Sequence, residues 1–154
     1  MTAEGMYTIK EAAKKVHVEA HALRSWEEEL GLSISRNDQG YRQYSKEDIL
    51  EMYLNYVYFG RGAYGVEAAA QAYFDCSAAE LTAAQAATLA AIIKAPSAYS
   101  PQQNPESNAK RRNYILATMR DNNLLSQEEY ALAAAEAAVV TNNRLTGTVT
   151  LKKA

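Results

Sequence analysis

Three arginines carry the first chemistry legible in this chain. Arg24, Arg36 and Arg42 lie in its first third, with His21, Ser25, Tyr41 and Tyr44 close to them in sequence. Guanidinium forks match phosphate oxygens, and hydroxyl and imidazole groups add single hydrogen bonds, so these are the residue types of a phosphate-gripping surface. A second basic pair, Arg111 and Arg112, stands in the last third. Group transfer to a hydroxyl needs different equipment: a base to activate the acceptor and a group to help the leaving side. The middle of the chain has Glu51 and Glu67. His17 and His21 are four apart but straddle a turn, and no third ligand stands near them, so no metal site is expected. The single cysteine, Cys76, offers neither a disulfide framework nor a thiolate cluster and suits a small apolar position. No cofactor is expected.

The elements that must position the first cluster follow from local pattern. Thr8-Ile9-Lys10-Glu11 is a capping box. Ile9, Ala12, Ala13 and Val16 then form one apolar helical face. His17-Val18-Glu19 reads as a turn, with Val18 filling the space between helices. A second helix runs from about Ala20 to Leu30, with Leu23, Trp26 and Leu30 on one side and His21, Arg24 and Ser25 off it; Gly31 stops it. Asn37-Asp38-Gln39-Gly40 is a turn between short runs that predict strands at 33–35 and 41–44. This is the outline of a winged helix-turn-helix, whose usual ligand is duplex DNA.

At these residues the chain resembles the DNA-binding domain of MerR-family regulators: Thr8 to Ala13, Leu23-Arg24-Ser25-Trp26-Glu27, and Arg36 followed by Gly40-Tyr41-Arg42-Gln43-Tyr44-Ser45. The resemblance implies that Arg24 contacts DNA from the second helix and that Arg36, Tyr41 and Arg42 contact phosphates from the wing, with His21, Ser25 and Tyr44 as further contacts. Charge restrains the expectation. Over residues 1–46, Lys10, Lys14, Lys15, Arg24, Arg36, Arg42 and Lys46 are balanced by Glu4, Glu11, Glu19, Glu27, Glu28, Glu29 and Asp38. Counterion release needs clustered positive charge, so a monomer would bind double-stranded DNA weakly, and a homodimer over two half-sites would be needed for tight binding.

From Lys46 onward the pattern changes. Ser45-Lys46-Glu47-Asp48 caps a helix with Ile49, Leu50, Tyr53, Leu54 and Val57 as its stripe, and Gly60-Arg61-Gly62 breaks it. Val66, Ala69, Ala70 and Tyr73 predict the next helix. Ser77 to Glu80, Thr82 to Gln85 and Ser126 to Glu129 are further capping patterns, the second opening an alanine-rich helix to about Lys94. Pro96, Pro101 and Pro105 mark a loop of about ten residues, long enough to suggest a function. Tyr99 within it is expected to be exposed, whereas Tyr53 and Tyr73 fall on apolar stripes and are expected in the core. A helix with Arg112, Ile115, Leu116 and Met119 follows, broken near Asn122-Asn123 before one more helix. Thr148 to Leu151 alternates like a strand.

This second region resembles the peptidoglycan glycosyltransferase domain of bifunctional penicillin-binding proteins, a lysozyme-like module. The matching runs are Lys46 and Ile49 to Asn55, Tyr58 to Gly65, Ala68 to Phe74, Leu81-Thr82, Ala95 to Pro101, Asn104-Pro105, and Arg111 to Leu116 with Met119. They cover about residues 46–138. The family's earlier motifs, an acidic segment with the general base, a Ser-Thr-Ile-Thr-Gln-Gln-like run and a segment with a second essential glutamate, have no counterpart here. The glutamate matching Glu51 is structural in the family, so the resemblance implies no catalysis by this chain. It makes Arg111 and Arg112 candidates for a vestigial substrate contact.

Ser45 to Leu54 satisfies both patterns, and the chain therefore reads as a chimera spliced through a shared helix. The expected fold is mainly α: a winged helix-turn-helix over 1–48 with a short β-hairpin wing, a lysozyme-like helical subdomain over 46–140, and a tail over 141–154. The expected function is a DNA-binding module joined to an incomplete transglycosylase fragment; the alternative is a non-catalytic fragment related to peptidoglycan or lipid II, or a chimera without cellular activity. The net charge of −2 gives no strongly basic character. With no apolar run long enough to span a bilayer and a polar start, a cytoplasmic location is expected.

Overall fold

Helix starts are set by reciprocal caps, and those written in the sequence form in the computed structural model, which describes residues 4–136. Thr8, Thr82 and Ser126 each accept from the amide three residues on, while Glu11, Gln85 and Glu129 reach back. Ser45 and Asp48 exchange the same pair of bonds at 2.9 and 3.0 Å. The Ser77 amide donates to Glu80 at 2.8 Å. Two orphan donors are satisfied at each box. The Thr8 amide and hydroxyl hold the Glu11 carboxyl below the usual carboxylate range.

The chain divides into two compact units, Met1–Tyr56 and Val57–Ala154. In the first, α1 (Ile9–Lys15) and α2 (Ala20–Leu30) are joined by a turn in which His17 has φ +58°, and Gly31 ends α2 with φ +63°. The antiparallel pair β1 (Ser35–Arg36) and β2 (Arg42–Gln43) aligns Ser35 with Gln43 and Arg36 with Arg42. The ladder is shorter than the runs 33–35 and 41–44 suggest, because Asn37 closes the turn with its side chain, accepting from the Gln39 and Tyr41 amides at 3.0 Å. Tyr44 instead makes an isolated bridge with Tyr7. Helix α3 (Lys46–Tyr56) completes the unit.

Its core is Ala12, Ala13, Val16, Leu23, Tyr44, Ile49 and Met52, with Val18, Trp26 and Tyr53 packed at the margin. The Trp26 and Tyr56 rings stack at 4.6 Å between centroids. Desolvation, then the bond to Glu29, pushes the Tyr56 hydroxyl up to about 12. Glu27 is the polar centre. It accepts Arg42 Nε on both oxygens at 3.1 Å and the fully buried Tyr44 hydroxyl at 2.6 Å.

The second unit opens with a tight loop. Tyr58 bridges Tyr64, and Gly60, Arg61 and Gly62 all have positive φ. Gly60 is required on two counts: its φ is +82°, and a Cβ there would stand 3.0 Å from the Tyr73 hydroxyl. That hydroxyl donates to the Phe59 carbonyl at 2.7 Å, so α4 (Val66–Phe74) is fixed to the loop through a buried bond. Phe59, Ala69, Ala70, Tyr73, Phe74, Leu89 and Ile92 belong to one core cluster, with Cys76 buried beside them.

A 3₁₀ turn (Ala78–Glu80) leads to α5 (Ala83–Ile93), followed after the proline loop by α6 (Pro105–Asp121) and α7 (Gln127–Ala135). Ala84, Ala87, Leu116 and Ala133 form the core these three helices share. Alanine keeps the axes close but buries little area per residue, so buried polar bonds reinforce the packing. Asn108, 3% exposed, donates to the Thr88 carbonyl at 3.2 Å and the Tyr99 carbonyl at 2.8 Å. Arg112, 8% exposed, donates to the Glu136 carbonyl at 3.0 Å. Tyr99 is half-buried rather than exposed, because Arg111 lies against its ring. The expected strand at 148–151, and the whole tail 141–154, lie outside the described residues.

Two tests of stability follow from these bonds. Glu27→Ala leaves the Tyr44 hydroxyl buried without its acceptor and should lower stability by about 2 kcal/mol in urea titration, whereas exposed Glu28→Ala should stay within about 0.5 kcal/mol. Equal effects would remove Glu27 from its central place. Burial raises the Tyr73 hydroxyl from its ordinary value of 10 to about 12. A raised folded value means that stability is whole below pH 10 and is lost as pH climbs from 10 toward 12. Thermal unfolding across that window should show the wild type losing stability faster than Tyr73→Phe, which has no proton to release; parallel curves would contradict the assignment.

Candidate functional site

The residues expected to grip phosphate divide sharply. Arg24, Arg36, Tyr41 and Arg42 line one cleft of about 650 Å³, together with Lys10, between α1, α2 and the hairpin. His21 and Ser25 do not line it. Ser25 donates to Glu29 at 3.3 Å, one turn along its own helix. Arg36 donates to the Gly40 carbonyl at 2.8 Å across the hairpin turn. Arg42 is held by Glu27, and Tyr44 is fully buried against the same carboxylate. Desolvation first, and the bond to Glu27 second, raise the Tyr44 hydroxyl well above its ordinary value. Most of the arginine chemistry read from spacing is therefore used inside the unit. Among the described residues Arg24, exposed on α2, forms no ion pair.

Glu51 and Glu67 belong to different units. Glu51 is exposed on α3, where its carbonyl accepts from Asn55. Glu67, in the first turn of α4, accepts the Ala78 amide at 2.8 Å and the Gln71 side chain at 3.2 Å. It holds the start of the 3₁₀ turn. Neither lines the cleft of about 650 Å³.

In the second unit the paired arginines face opposite duties. Arg112 points into the protein and ties α6 to the residue after α7. Arg111 turns outward into a cleft of about 370 Å³ with Tyr99, Ser107, Lys110 and Tyr114. Its guanidinium lies 5.5 Å from the Tyr99 ring centroid, a cation–π distance. Its Nε is buried and has no hydrogen-bond acceptor. Sequence reasoning named Arg111 but missed Tyr99, Ser107, Lys110 and Tyr114 as its neighbours. The signal was present: Ser107, Lys110, Arg111 and Tyr114 follow the i, i+3, i+4, i+7 spacing of one helix face.

Comparison with known proteins gives one answer along most of the chain. The sequence-family profile described as Transglycosylase matches residues 3–120. Penicillin-binding protein 1F of Bacillus subtilis (strain 168) is 49% identical over 92 residues, 60% of this chain and 13% of that protein. Penicillin-binding protein 1A/1B of the same organism is 41% identical over 131 residues, 83% of this chain and 14% of that protein. The crystal structure of penicillin-binding protein 1A from Haemophilus influenzae superposes with a TM-score of 0.60 at 39% identity, covering 77% of this chain and 16% of that one. The chain thus spans a small part of the length of the relatives it matches.

These findings correct the reading of the first third. The family match includes residues 7–48 and runs through the supposed splice at Ser45 to Leu54, so a MerR-type domain, a chimera, and the roles in DNA binding and transcription drawn from them are set aside. Double-stranded DNA is withdrawn as a partner. The physical reason is at Glu27: the side chains that carried the resemblance, Arg42 and Tyr44, turn inward onto it. What stands of the expected fold is a mainly helical protein with a small two-stranded sheet, similar to a transglycosylase domain. Among the described residues no helix is long and apolar enough to cross a membrane. With the profile matched over residues 3–120, the chain belongs to the transglycosylase family.

Proposed function

We propose that this chain is a catalytically incomplete part of a peptidoglycan transglycosylase, retaining helical scaffold from the later portion of the domain without its acid–base machinery. One observation carries the reading. The family match is extensive, yet Glu51 is exposed on α3 with only its backbone carbonyl engaged, and the Glu67 carboxylate is engaged in holding a turn. Activation of an acceptor hydroxyl needs a carboxylate within hydrogen-bond reach of the reacting oxygen, and assistance to a pyrophosphate leaving group needs a second function on the same cleft. The sequence motifs that supply these in the family have no counterpart in this chain. A role in the chemistry of the cell-wall polymer is then one of holding or presenting, with no bond made or broken.

The test is direct. Purified chain incubated with fluorescent lipid II and a divalent cation should yield no glycan polymer above the protein-free control on a resolving gel. Polymer that disappears with Glu51→Gln would overturn the proposal and make Glu51 a catalytic group; polymer that persists in that variant would overturn it as well and place the chemistry elsewhere in the chain.

A further inference from the structure

We infer that the apolar groove between α1 and α3 is a docking site for an acidic amphipathic helix of a partner protein. The groove has a volume of about 380 Å³, and all the residues lining it belong to the first unit, so it stands apart from the proposed loss of catalysis. Lys46, Ile49, Leu50 and Tyr53 of α3 fall at i, i+3, i+4 and i+7 and share one helix face. Tyr7, Lys15 and Val16 complete the lining from either end of α1. Val16 and Ile49 are buried members of the core, so the floor of the groove is continuous with it. Leu50 lies beside that floor and is 55% exposed. An apolar side chain so placed gains free energy from whatever covers it.

Charge selects the occupant. Both ionised groups of the groove are lysines, and no carboxylate lines it. Lys15 and Lys46 form no ion pair among the described residues. Lys15 lies over the Tyr7 ring, 4.7 Å from its centroid, which holds the ammonium beside the groove. Tyr7 is itself fixed, since it exchanges two backbone bonds of 2.8 Å with Tyr44. The acidic neighbours point elsewhere: Glu11 is bonded to the Thr8 amide, and Glu47 and Glu51 are exposed on α3 without lining the groove. Two positive charges bordering an apolar floor complement a helix with aliphatic anchors and acidic flanks. Concavity favours a helix over a bilayer. A bilayer is met by protruding apolar side chains, whereas Val16 and Ile49 lie at the bottom of a groove that a helix ridge can enter.

A pair of labelled peptides of about 15 residues tests the site on the full chain. Both carry leucines at i, i+3, i+4 and i+7; one has glutamates on the flanking positions and the other has lysines. Fluorescence anisotropy is followed at low ionic strength, where surface charge is least screened. The glutamate peptide should bind saturably and about tenfold or more tighter than the lysine peptide. Leu50→Asp should weaken it by about tenfold or more, while Lys94→Glu, exposed in the second unit, should leave it unaltered. Lys15→Glu combined with Lys46→Glu should reverse the preference in favour of the lysine peptide, a gain that unfolding cannot imitate. Equal binding of the two peptides, binding of neither, or a preference that the double variant leaves intact would overturn the site. Two other occupants have their own signatures. Flotation with phosphatidylglycerol vesicles but no peptide binding would make the groove a membrane contact. Concentration-dependent dimers lost in Leu50→Asp, again with no peptide binding, would make it a contact between copies. Either result overturns the acidic helix as its ligand. None of these measurements reads polymerisation, so this inference and the absence of catalysis can fail separately.

Discussion

The buried amide of Asn108 is the constraint on which the second unit depends. A side-chain amide has two N–H donors, and both are used here, on Thr88 of α5 and Tyr99 of the proline loop. One planar group therefore fixes three segments at once. An amide donor left unmade in the same place would cost about 1–3 kcal/mol, which is large against the shallow packing of Ala84, Ala87 and Ala133. Arg112 continues the theme one turn later by reaching the end of α7. The order of the loop, the seating of α6 and the position of Arg111 all follow from these polar bonds.

The first unit is organised by a charge instead. Glu27 draws Arg42 and Tyr44 inward, and Trp26, one residue earlier, stacks on Tyr56. The buried Tyr44 phenol and the half-buried Arg42 guanidinium both donate to this one carboxylate, which offsets the Arg42 charge within the hairpin. Potential at a surface depends on what remains unpaired after folding, not on the number of arginines in a window. That is why a cluster with the right residue types does not make a phosphate-gripping face.

Local features were legible in the sequence because their causes are local. Capping boxes, the Gly31 stop and the break at Asn122-Asn123 involve residues within a turn of one another, and each forms where the spacing places it. Long runs such as Tyr58 to Gly65 pointed to the right family, since each carries many constraints at once. Three short motifs around Arg24 and Arg42 pointed to the wrong one, because their meaning turned on a partner, Glu27, whose orientation toward Arg42 and Tyr44 no spacing rule supplies. The buried face of α6 was hidden for a related reason. Asn108, Arg112 and Leu116 fall at i, i+4 and i+8, and a search for apolar periodicity skips two of the three. Adjacent Arg111 and Arg112 point to different surroundings, one to a cleft and one to the core, and only the fold tells them apart.

If Asn108 is the clamp, its removal should act at a distance on the loop while leaving the helices formed. Hydrogen exchange of Asn108→Ala against the wild type measures this most directly. The expected result is that amides of the proline loop, Tyr99 and Asn104 among them, lose protection by an order of magnitude or more, while the interior of α5 and the capped start of α7 exchange at wild-type rates. Unchanged protection in the loop, or an equal loss everywhere in the unit, would contradict a clamp at Asn108.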